Sequence, residues 1–165
     1  GRGEAPEAVL SDLNIVPLVI AYEVDPCDAL KAAELAAGEG YVKAEFEDVS
    51  SIARGITGNK GCVHLHFGEP LPADLSVEEV VAALDRQMAQ HYRLYQTNRW
   101  AWEWLHGESV PAALAFHEGS VTEQSFRARI ESEPSEHRQW LLTMYANPVS
   151  RQLALDVTNQ DRSCD

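Results

Sequence analysis

Positive charge is what this chain most lacks. It sets 13 lysines and arginines against 26 aspartates and glutamates, for a formal net charge of -13. That balance excludes the cationic grip on phosphates that nucleic-acid binding needs, and it opposes broad docking on anionic lipid. Long apolar runs are missing too, since none approaches the roughly 18 to 20 residues that span a bilayer. Cysteine is sparse: Cys27, Cys62 and Cys164 have no paired spacing, and an odd count fits a reducing, cytoplasmic compartment. No Ser-His-Asp or Cys-His nucleophile set can be defended from order or spacing. Neither a methionine nor a signal-peptide pattern opens the sequence at Gly1, which fits a fragment or a processed chain.

What is there is apolar patterning. With 45% hydrophobic residues among 165, the chain can build a core as one domain or part of one. Ile15 to Tyr22 and Gly61 to Phe67 are β-branched runs, each stopped by a proline-containing turn. Between them, Asp25, Pro26 and Asp28 read as the N-cap, first position and acidic first turn of a helix over Ala29–Ala37, which Gly38 stops. Val49, Ile52, Ala53 and Ile56 mark a second helix, closed by Gly58. Strand, helical connection and strand predict a βαβ unit with parallel, buried strands. Past Pro72, Ser76 and Glu79 form a capping-box pattern, and Val77, Val80, Val81, Leu84, Met88 and Tyr92 mark one face of a long helix. WAWEWLHG adds a turn or two. Ser120 with Glu123 makes another capping box, and Ser135–Ala146 and Val149–Val157 predict two short helices, the second restarted at Asn147 and Pro148. The pattern predicts an α/β fold: an acidic lead-in (1–12), an α/β part (13–105) and an all-helical extension (106–165).

The wording of these blocks carries more than their pattern. LNIVPLVIAYEVDPCD (Leu13–Asp28), GCVHLHFGEPL (Gly61–Leu71) and YRLYQTN (Tyr92–Asn98) resemble the later part of the glycerolipid acyltransferase family, of the bacterial 1-acylglycerol-3-phosphate acyltransferase type. Gln96 stands where that branch has proline. The resemblance runs from Leu13 to Leu105 and implies the C-terminal part of an acyltransferase-type sheet. It also implies a parent enzyme that moves an acyl group from acyl-CoA or acyl-ACP to a glycerol-phosphate or lysophospholipid hydroxyl. No cofactor beyond that co-substrate is implied. The partners would be the acyl thioester, the lipid acceptor and the missing N-terminal half of the same protein. That half would also make any peripheral contact with the inner membrane from the cytoplasm. The family's His-x4-Asp motif is absent, because the residues five places after the six histidines are Glu69, Leu71, Gln96, Pro111, Thr122 and Leu142. A Glu-Gly-x-Arg-like loop for the acceptor phosphate is absent as well. The chain alone is therefore expected to be inactive, and the alternative is a stand-alone, non-catalytic module that binds lipid or protein.

Individual residues follow from this frame. Ile15, Val16 and Pro17 match the family block associated with substrate binding, although a plain buried strand would read the same. Tyr22 and Glu23, with Asp25, lie at the carboxyl end of that strand, where sheets of this kind place pocket rims. Cys62, His64 and His66 alternate onto one strand face, a geometry that argues against tetrahedral metal binding. Val63, Leu65 and Phe67 then form the core side. GITGNKG is a helix stop and turn, because Gly61 rather than Ser or Thr follows Lys60. Trp100 and Trp104 read as packing residues, and Trp102 as the exposed ring.

Overall fold

The computed structural model describes Leu10 and residues 12–162, with side chains through residue 155. Of the lead-in expected over 1–12, only Leu10 and Asp12 fall among the described residues, and Cys164 lies outside them. The fold is α/β. Strands β1 (Leu18–Tyr22) and β2 (Val63–Phe67) form a two-stranded sheet, joined and followed by helices α1 (Asp28–Ala37), α2 (Glu47–Thr57), α3 (Val77–His91), α4 (Gln96–His106), α5 (Glu123–Ser132) and α6 (Ser135–Arg162). None of the described helices is long and apolar enough to cross a membrane.

The strands run antiparallel, which corrects the parallel βαβ reading. Gly68 N–H donates to the Pro17 carbonyl at 2.8 Å, Leu71 to Ile15 at 2.9 Å, Glu23 to Cys62 at 2.9 Å and Val24 to Lys60 at 3.0 Å. Partner numbers therefore fall along one strand as they rise along the other. The connection leaves β1 at Glu23 and returns to Cys62 directly opposite, so α1 and α2 form an excursion from one hairpin and not a crossover.

The described residues form two compact units, one from Leu10 and residues 12–21 with 64–92 and 151–162, the other from 22–63 with 93–150. In the first, burial alternates along β1: Val19 and Ala21 are buried while Leu18 and Ile20 are exposed. A strand buried on both faces was expected; only one face is covered. The covered face meets α3, where His66 stacks on His91 with centroids 4.0 Å apart. The Gln87 amide brackets Glu69, accepting from its N–H at 2.8 Å and donating to its carbonyl at 3.0 Å. The Ser76–Glu79 capping box opens α3 as its sequence indicates. Its packed stripe is narrower than expected, with Val80 buried but Val81 and Met88 exposed.

In the second unit, Leu94, Ala101, Phe126, Leu141, Tyr145 and Val149 pack as a core. Trp102 belongs to it. Expected as the exposed ring, it is buried and stacks on His106 at 4.2 Å. Trp104 faces Phe126 at 5.7 Å on one side and takes the Arg127 guanidinium over its ring at 4.2 Å, which lets it sit nearer solvent. The two helices expected after Ser135 are one, since α6 continues through Pro148. Buried Leu141, Tyr145, Ala146 and Val149 hold both sides of that proline in register, and packing outweighs the lost N–H. The cap of α5 is Thr122 with Ser125, not Ser120 with Glu123. Ser120 has another commitment.

Candidate functional site at the end of strand β1

The five candidate substrate-binding residues divide between the two faces of the extended segment. Pro17 is buried and Glu23 is 1% exposed, with Ile15 half-buried on the same inward series. Val16 is exposed and Tyr22 half-buried on the opposite series with Leu18 and Ile20. The register that pairs Pro17 with Gly68 sets Leu18 opposite Phe67 and Ile20 opposite Leu65. All four of these apolar side chains are exposed, Phe67 at 69%. Leu65 and Phe67, with Val63, were expected on the core side; among the described residues that side is open, and the histidine side is the covered one. The reason is that α3 lies against His66 and nothing described lies against Phe67. The result is an apolar sheet face bare of any covering layer among the described residues.

Glu23, expected at a pocket rim, is an anchor. Its carboxylate accepts from Cys62 N–H at 2.8 Å, Ser120 N–H and Oγ at 3.0 Å each, and Val121 N–H at 2.7 Å. Burial pushes its pKa up, but the backbone donors of Cys62, Ser120 and Val121, with the Ser120 hydroxyl, hold it below the ordinary value. Glycine makes room: a Cβ at Gly119 would lie 2.1 Å from Glu23 Oε1, and one at Gly61, where φ is +60°, 2.3 Å from Oε2. The Glu23 carbonyl accepts from Thr97 Oγ1 at 2.8 Å.

A second buried carboxylate follows. Asp28 takes a bidentate grip from Arg129, with Nε at 2.8 Å, and a hydrogen bond from the Tyr145 hydroxyl at 2.7 Å. That hydroxyl also accepts from Asp25 N–H at 3.0 Å. Burial first, then the Asp28 charge, pushes the Tyr145 phenol up, so it stays a donor. The hydrogen bond to Asp28 raises Arg129. Asn98 links the Tyr95 N–H, at 2.8 Å, to the Tyr145 carbonyl, at 2.9 Å. Gln96 occupies the first position of α4, where proline would fit, and spends its N–H on His117 at 3.2 Å.

Glu23, Asp28, Thr97 and Asn98 are thus fixing points of the second unit. Their partners Ser120, Arg129 and Tyr145 lie in the helical extension and were missed. The only available signal was the excess of polar residues in otherwise apolar blocks. Cys62, His64 and His66 bring no metal-binding group together among the described residues. Comparison with known protein families, with curated proteins and with solved structures yields no match.

Proposed function

We propose that the chain is the later part of an acyltransferase of phospholipid synthesis, transferring an acyl group from acyl-CoA or acyl-ACP to a glycerol-phosphate or lysophospholipid hydroxyl. The observation that carries this reading is the bare sheet face. The two blocks that resemble the family pair as adjacent strands, and the surface they leave open is the kind a further layer of the same protein covers. In this reading the absent half brings the histidine that takes the hydroxyl proton, the aspartate that orients it and the arginine loop that holds the phosphate. The hydroxyl oxygen attacks the thioester carbonyl, the carbon–sulfur bond breaks, and the thiolate leaves with the proton the histidine took. Val16 and Tyr22, on the open side, are the substrate-facing candidates. Ile15, Pro17 and Glu23 hold the strand from behind.

The test is thiol release from acyl-CoA with lysophosphatidate as acceptor. The chain alone should stay at the uncatalysed rate, and a protein joining it to a His-x4-Asp half should turn over. Turnover by the chain alone, or none by the joined protein, would contradict the reading. The alternative is a stand-alone, non-catalytic module that binds lipid or protein. A joined protein that is inactive but binds lysophospholipid would give that module first place.

A further inference from the structure

Helix α2 is a second unpartnered surface, and its chemistry says what it meets. None of its residues is buried. Val49, Ile52 and Ile56, with Phe46 just before the helix, recur at three- and four-residue spacing on one face and are 63 to 73% exposed. Its two ends carry opposite charge. Glu45, Glu47 and Asp48 stand at the N-terminal end against Lys43, which pairs with Asp48 at 2.6 Å. Arg54 and Lys60 stand at the other end, Lys60 donating to the Ile56 and Gly58 carbonyls at 3.1 Å each.

We propose that α2 is a homodimer contact, in which two copies of this chain pair the helix antiparallel about a twofold axis near Ile52. An antiparallel pairing lays the stripe on itself, Ile52 toward Ile52 and Val49 toward Ile56, as an isologous contact requires. It also sets each acidic end against the partner's basic end and opposes the two helix dipoles. A parallel pairing would put acid on acid. A lipid surface fits less well, because the polar side of this helix is not the lysine- and arginine-rich side that membrane helices carry. One short helix against another is at the low end of specific interfaces, so the dimer is weak. The inference does not rest on the acyltransferase reading.

Sedimentation velocity from about 10 to about 500 µM covers the range in which a dimer of micromolar affinity appears. A reversible monomer–dimer equilibrium is expected. Ile52→Lys, at an exposed position that leaves the circular dichroism unchanged, should raise the dissociation constant at least about tenfold by burying a charge in the contact. Arg54→Glu should weaken the dimer, and adding Asp48→Arg should restore part of the loss. Leu65→Lys with Phe67→Lys, on the sheet face, should leave it intact. A monomer throughout, a dimer indifferent to Ile52→Lys, or one lost with the sheet-face change would overturn the proposal. So would a monomer that sediments with phosphatidylglycerol-containing vesicles through Ile52.

Discussion

A carboxylate as buried as Glu23 is tolerable only because four donors meet it, and this sets its response to acid. Its carboxyl titrates below its ordinary value of 4.5 in the folded chain. The stabilisation is therefore whole above that value and is lost as pH falls through the lower folded value. Urea midpoints should drop as pH is taken from 5 toward 3, and Glu23→Gln should lower stability at pH 7 while flattening that drop. An unchanged acid slope in the variant would remove Glu23 from the account. Gly119→Ala tests the same site sterically, since its Cβ would strike the carboxylate, and should cost about 1–3 kcal/mol of unfolding free energy. A variant as stable as the parent would show that the loop has room to yield. Little of this was legible beforehand. Ser120 three places before Glu123 has the pattern of a helix cap, and nothing local records that its hydroxyl is spent on a carboxylate 97 residues away.

At the scale of elements, periodicity located most of the helices and both strands, because alternation and helical spacing are local properties. It could not give strand direction. The same runs serve a parallel or an antiparallel pair, and only the return of the chain from Lys60 and Cys62 to Val24 and Glu23 decides between them. Nor could it say which strand face is the more covered, for Val63, Leu65 and Phe67 read as the core side while His64 and His66 fit a polar or a helix-covered face equally, and α3 lies on the histidines. Pro148 misled in the ordinary way, since it ends most helices but is carried through α6 by the packing around it. Pro148→Ala should restore one helical hydrogen bond and raise stability by about 1–3 kcal/mol, read from the shift in the urea midpoint. A loss of stability instead would mean that the proline ring packs better than the helix hydrogen bond it displaces.

At the scale of the molecule, two apolar surfaces stand open among the described residues, the sheet face of Leu18, Ile20, Leu65 and Phe67 and the stripe of α2, on a chain that carries a net charge of -13. The charge favours solubility, while the apolar surfaces favour association. The acyltransferase reading assigns the sheet face to a further layer of the same protein, and its most direct test is the coding sequence upstream of Gly1. The account predicts an open reading frame that encodes a His-x4-Asp motif, followed nearer Gly1 by a Glu-Gly-x-Arg-like loop. An initiation codon directly before Gly1, with no such motif in frame, would contradict it.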